Sequence, residues 1–219
     1  APALARGVWH AGTQRLEATV SSDIVEDISH AWMAGGGAAH PLKGSTLPDL
    51  DKADAYSWCK APRLGGQSFE TGALARQLID GHPLALALAD EGGVRARVAG
   101  RLLEIARTQL VLEELAGAIN PARPFMATVE LPQEGAGEGL VEAARGALGH
   151  WCRIEDGQIA SYQIIAPTTW NFSPRDATGT PGPVEAALEG VRVADGEDTP
   201  LSVQHIVRSF DPCMVCTVH

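Results

Sequence analysis

Between residues 94 and 120 apolar side chains return every third or fourth position, at Val98, Leu102, Ile105, Ala106, Leu110, Leu112 and Leu115, with arginines at 95, 97, 101 and 107 on the remainder. That spacing predicts one long helix whose apolar stripe lies in a core, ended by Asn120-Pro121. A shorter helix is expected over residues 70–79, stopped by Gly81 and Pro83. Ser21-Ser22-Asp23 reads as the cap of another, running through Ile24, Val25, Ile28 and Trp32 to Gly35-Gly36-Gly37, with Glu26 and Asp27 in the first turn where the helix dipole favours anions. Residues 151–165 read instead as two half-buried strands joined by Asp156-Gly157, a strong hairpin signal. The first 18 residues open as irregular chain or short strands. Residues 40–54 form a loop whose Asp49, Asp51 and Asp54 are solvated, and residues 172–200 a crossing loop with a short helix near 184–188. The apolar positions Leu201, Val203, Ile206, Val207 and Phe210 are partly helical in spacing, and Asp211-Pro212 stops them. The expected class is α+β, mainly helical, with long core helices and a β-hairpin region. Residues 1–219 read as a single unit.

Composition narrows the function classes. The chain has 219 residues, 45% of them apolar and 20% charged, which is globular rather than disordered. A formal charge of -10 without long like-charged runs, and lysines only at 43, 52 and 60, argue against nucleic acid or an anionic membrane as partner. No stretch approaches the ~20 apolar residues of a direct membrane span, and the N-terminus lacks the order of a signal peptide. A cytoplasmic location is therefore expected, with a periplasmic or partner-borne membrane location as the alternative. Gly135, Gly137 and Gly139 lack the spacing of a nucleotide-binding loop. Four cysteines do not make a disulfide framework in a chain of this size, and Cys59 and Cys152 are expected as small core residues.

The other two cysteines stand in the tail Cys213-Met-Val-Cys-Thr-Val-His219. Two soft ligands and an imidazole within so few residues suit a metal. A C-x-x-C pair is ordinarily a zinc half-site, a redox dithiol or a disulfide. Structural zinc wants four ligands in separated pairs, and Cys216 with His219 is too tight to be a second pair. A thioredoxin-like motif belongs between a strand and a helix, near the start of a βαβ unit.

The string Ser209-Phe-Asp-Pro-Cys-Met-Val-Cys-Thr-Val-His219 resembles D-P-C-x-x-C-x-x-H, the C-terminal signature of the large subunit of nickel-iron hydrogenases. Three further segments resemble that subunit in the same order. Residues 57–63, Ser-Trp-Cys-Lys-Ala-Pro-Arg, match S-W-x-K-A-P-R, and Glu70-Thr-Gly-Ala-Leu-Ala-Arg76 follows them. Residues 142–150, Glu-Ala-Ala-Arg-Gly-Ala-Leu-Gly-His, match E-A-P-R-G-A-L-G-H, with Ala144 where proline is usual. Residues 167–171, Pro-Thr-Thr-Trp-Asn, match P-S/T-T-W-N, with serine or threonine at the second position.

The resemblance implies part of a larger large-subunit fold, with a nickel-iron centre whose iron carries carbonyl and cyanide. Cys213 would be a terminal nickel ligand and Cys216 a bridge from nickel to iron, in keeping with soft thiolates on such metals. His219 and the Ile164 carbonyl would hold magnesium or a similar ion. Ala166, Pro167 and Thr168 would surround a cyanide, with Thr168 as donor. Arg145 and Asp211 would frame the open face, where dihydrogen is cleaved or formed heterolytically and Cys213 takes the proton. In the same segment resemblance, Lys60 and Arg63 are structural, and the residues alone point to Arg63 in a salt bridge within a packed loop. Electrons would pass to an iron-sulfur small subunit. The alternative is a hydrogen-sensing, signalling subunit of low turnover. The family's other cysteine pair, in R-x-C-G-x-C, and its proton-relay glutamate have no counterpart in this chain, so the implied partner is the N-terminal portion of the large subunit. An end at His219 implies either that a tail was removed or that this type never carries one.

Overall fold

The computed structural model describes residues 7–10, 12–13, 15–89 and 92–214. Among the described residues three small antiparallel sheets are joined by six α-helices, so the class is α+β with helix outweighing strand. Strands β1 (Val8–His10) and β2 (Arg15–Glu17) form the short opening ribbon. The second sheet has β3 (Ile24–Asp27) between β4 (Ala38–Ala39) and β5 (Ala61–Leu64). Two helices follow, α1 (Ala73–Ile79) and α2 (Pro83–Ala89), and then the 26-residue α3 (Gly93–Ala118). The third sheet is a meander of β6 (Gly135–Ala143), β7 (Gly146–Glu155) and β8 (Gln158–Ile165). Short helices α4 (Pro167–Asn171) and α5 (Pro183–Leu188) lead to α6 (Leu201–Ser209).

The helix expected after Ser21 is not formed. Ser21–Asp23 make one 3-10 turn, and Ile24–Asp27 continue as the central strand of the second sheet. Glu26 and Asp27 are both buried, so neither serves a helix dipole. Glu26 faces the Lys60 ammonium at 3.5 Å, while Asp27 accepts from the amides of Ser29 and Ala177 at 2.8 and 3.4 Å. β-Branched Ile24 and Val25 suit a strand, and partners distant in sequence outweigh the local capping signal. Burial raises the Glu26 carboxyl above its ordinary value, a shift that Lys60 opposes without cancelling.

The segment around Pro62 is a strand rather than a loop, and Arg63 is paired as expected. Its Nε donates to Asp176 at 2.7 Å, and its two terminal nitrogens donate to Ser173 Oγ and to the carbonyls of Pro62, Pro174 and Thr180. Every N–H of a guanidinium that is only 2% exposed therefore has an acceptor.

The hairpin forms where the dipeptide places it. Glu155 pairs with Gln158, and Asp156 and Gly157 both take positive φ, at 51° and 69°, as the tight turn demands. The third strand, β6, contains the glycine series and pairs with β7 throughout. Beneath the sheet Ile24, Ala147, Trp151, Ile165 and Trp170 make the principal core, with Leu42, Leu64 and Leu140 packed on it. Cys59 and Cys152 are half-buried rather than core, and burial raises the Cys59 thiol.

Helix α3 departs from expectation in its packing. Ala96 and Gly100 are its buried residues, and at Gly100 the helix comes so close to α1 that an added Cβ would lie 2.8 Å from Leu74 Cα. Beyond that crossing the stripe faces outward among the described residues, with Leu102 64%, Leu110 67% and Leu115 58% exposed. Phe125, Val129 and Leu131 are exposed as well. Patches of this extent mark a surface that another segment covers.

Candidate metal centre

The end of β8 delivers the first part of the site. Ala166 is extended, and Pro167 takes the first helical position, where its missing N–H costs nothing. The next residue, Thr168, is 2% exposed, and its Oγ1 accepts from the Cys213 backbone N–H at 3.1 Å. A hydroxyl that accepts one hydrogen bond keeps its own hydrogen to donate. The residue expected to hold an iron ligand thus touches the residue expected to hold nickel.

Cys213 is placed by the way α6 stops. Phe210 is still helical, Asp211 turns to φ 53° with its N–H on the Arg208 carbonyl at 3.0 Å, and Pro212 forbids continuation. Aspartate is among the few residues that tolerate this left-handed turn. The Asp211 carboxylate lies 3.6 Å from Arg145 Nε, and both side chains are about two-fifths exposed, at 42% and 43%. An ion pair that open to water adds little stability. Its groups are available to a ligand instead.

Arg145 stands in the two-residue turn between β6 and β7, where Ala143 pairs with Gly146. Gly146, at φ 134°, is pressed so closely on residue 71 that a Cβ would sit 2.3 Å from Thr71 Oγ1. Asn171 clamps the same segment from α4: its Oδ1 accepts from Thr71 N and its Nδ2 donates to Thr71 O, each at 3.0 Å. Residues 71–72, 144–146, 167–171 and 211–213 consequently meet in one place. A thiol, a buried hydroxyl and an exposed cation beside a carboxylate form a donor set that fits a soft transition metal with polar ligands of its own.

Ile164 lies in β8 opposite His150, with its side chain 47% exposed. Cys216 and His219 lie outside the described residues, and among the described residues no three His, Cys, Asp or Glu side chains converge. Sequence reasoning missed the Asn171–Thr71 clamp and a set of residues that hold the end of α6. In that set Glu70 grips Arg97, whose Nη1 donates to Ser209 Oγ at 3.2 Å, while Arg101 donates to the Ser209 carbonyl. The available signal was the pair of arginines one turn apart, at 97 and 101.

Known proteins resemble this chain in sequence and in fold. A profile of the family described as nickel-dependent hydrogenase matches residues 3–219. The chain is 34% identical to the hydrogenase-1 large chain of Citrobacter freundii, with 90% of this chain and 40% of that one aligned. It is also 34% identical to the periplasmic NiFeSe hydrogenase large subunit of Desulfomicrobium baculatum, over 90% of this chain and 42% of the relative. The solved NiFeSe hydrogenase of that organism superposes with a TM-score of 0.85 at 33% identity, covering 94% of this chain and 46% of the solved one. The NiFeSe hydrogenase of Desulfovibrio vulgaris Hildenborough gives a TM-score of 0.85 at 30% identity, over 94% and 47%. The chain spans less than half the length of these relatives. By sequence and by fold, the chain belongs to the nickel-dependent hydrogenase family and corresponds to a C-terminal portion of the large subunit.

Proposed function

We propose that this chain provides one half of the active site of a nickel-iron hydrogenase, cleaving or forming dihydrogen and passing electrons to an iron-sulfur small subunit. The observation that carries the reading is the Cys213 N–H seated on Thr168 Oγ1 at 3.1 Å, beside the Arg145–Asp211 pair. Three of the four family motifs supply those residues. Cys213 and Cys216 would hold the nickel-iron centre, with carbonyl and cyanide on iron, and His219 with the Ile164 carbonyl would hold magnesium or another divalent ion. When bound, the centre supplies heterolytic cleavage of dihydrogen. The Cys213 sulfur would be the proton acceptor. Arg145 presents a fixed cation to the open face, oriented by Asp211, as preorganised charges do where charge develops. Thr168 would donate its hydroxyl hydrogen to a cyanide.

Residues 1–219 act as a single, non-autonomous unit whose partner is the N-terminal portion of the subunit, bearing the other C-x-x-C. The outward apolar stripe of α3 supports this, because such a face needs a cover. The relatives' names, among them a quinone-reactive hydrogenase of Wolinella succinogenes, favour an enzyme over a hydrogen sensor. The name of the Desulfomicrobium baculatum relative and that of the quinone-reactive one favour a periplasmic or membrane-associated site over the cytoplasm. No helix among the described residues is long and apolar enough to cross a membrane. Metal analysis tests the reading. The protein purified with its partners is expected to hold nickel together with iron, the iron in excess because the clusters of the small subunit add to it, and the isolated chain to lack the complete centre. Zinc alone, or a Cys213–Cys216 disulfide, overturns it.

A further inference from the structure

We infer that Arg97 and Arg101 of α3 are positioning residues for Cys213, with Glu70 holding Arg97 in the conformation required. The proposal rests on the reading of Cys213 as a metal ligand. Only Asp211 and Pro212 separate α6 and its cap from Cys213, so wherever Ser209 and Phe210 are fixed the cysteine must follow. The last carbonyls of a helix have no partner within it, and cations placed there are favoured by its dipole. Here Arg101 Nη2 donates to the Ser209 carbonyl. Arg97 Nη1 donates to Ser209 Oγ at 3.2 Å, while its guanidinium carbon sits 3.7 Å from the centre of the Phe210 ring. Glu70 takes the other edge of Arg97 in a fork, with Oε1 to Nε at 2.8 Å and Oε2 to Nη2 at 2.9 Å.

These contacts are rigidly based. Gly100, between the two arginines, packs against Leu74 of α1 with no room for a Cβ, which fixes α3 next to Glu70. Ser209 and Phe210 are 3% and 5% exposed. At the other end of the turn the Cys213 N–H is held by Thr168. The turn is thereby held at both ends, one on α3 and one on α4. Lysine keeps the charge of arginine but can neither fork onto Glu70 nor stack its plane on Phe210.

The test is residue-resolved amide hydrogen exchange on the full protein purified with its partners, comparing wild type with Arg97→Lys, Arg101→Lys and the double variant. The expected result is faster exchange of the Cys213 amide, by about tenfold or about 1.4 kcal/mol in the double variant, with β7 and β8 unchanged. Glu70→Gln, which keeps its size but weakens the fork, is expected to show a smaller increase of the same kind and keeps the proposal testable should the double variant fold poorly. Unchanged Cys213 exchange overturns the proposal, and so does uniform acceleration across β7 and β8, the mark of a merely structural role. The nickel electron paramagnetic resonance g-values are read in parallel, and a shift supports the proposal through the metal as well. Altered exchange in samples in which metal analysis finds no nickel, wild type included, supports the positioning role while removing the metal reading on which it was built.

Discussion

Cys213→Ser is expected to abolish hydrogen-dependent dye reduction, lowering it by about 1000-fold or more, equivalent to about 4 kcal/mol in activation free energy. The substitution exchanges a soft, readily ionised sulfur for a hard hydroxyl that stays protonated at neutral pH, removing both the proposed nickel ligand and the proposed proton acceptor. The backbone remains, so the N–H of residue 213 can still donate to Thr168 and the fold should be retained. Nickel content is expected to fall with activity. Thr168→Val separates the ligand from its support. It keeps shape and sulfur but takes the acceptor from a half-buried N–H, a loss of about 1–3 kcal/mol. Activity should then drop by about 10–100-fold, the size of effect seen when the partners of a metal ligand are removed. A serine variant that keeps full nickel content and turnover would remove Cys213 from the site.

The largest effect on stability is expected at Arg63. Arg63→Met leaves the Asp176 carboxylate buried without its cation and frees three carbonyls and a hydroxyl, a loss of about 3–5 kcal/mol that a denaturation midpoint of the full protein would measure. Adding Asp176→Asn should recover part of it, because a neutral side chain tolerates that burial. Asp176 also sets an acid limit. Burial pushes its carboxyl up, but hydrogen bonds from Thr178 and Arg63 and from the Thr178 and Thr180 amides outweigh this and hold it below its ordinary value of 3.8. A folded-state value lowered in this way contributes stability that is complete above pH 3.8 and lost as pH falls through the lowered value. Glu26 has the opposite sign. Its carboxyl is raised above 4.5, so its contribution is present at or below that pH and is lost as pH rises through the folded value. Asp176→Asn should therefore flatten the stability profile below pH 3.8, and Glu26→Gln should flatten it above pH 4.5.

What could be read from the residues alone was local in origin. The extent of α3 follows from a period of three to four and a terminal Asn-Pro, and the β7–β8 turn from a dipeptide whose two residues tolerate positive φ. The tail's ligand chemistry and the four family motifs were legible for the same reason, since each is a short run of contiguous residues. The failures came where a distant partner decided the outcome. Ser21-Ser22-Asp23 is a sound cap by local rules, yet Ile24–Asp27 became a strand because β5 and Lys60 were there to pair with it. The α3 stripe was recognised as a burying face, but its cover is not among the described residues.

The sequence by itself determined which atoms are available for chemistry: two thiols and an imidazole in the tail, an arginine among small residues, and a threonine after a proline. Tertiary structure alone decided that Cys213, Thr168 and Arg145 belong together. The contacts that assemble them, Thr168 to Cys213, Thr71 to Asn171 and Arg97 to Ser209, join residues 45, 100 and 112 apart in the chain. Backbone propensity and hydrophobic period act over one or two turns of chain, so pairings across such separations leave no trace in either, and they appear only when the packed elements set the distances.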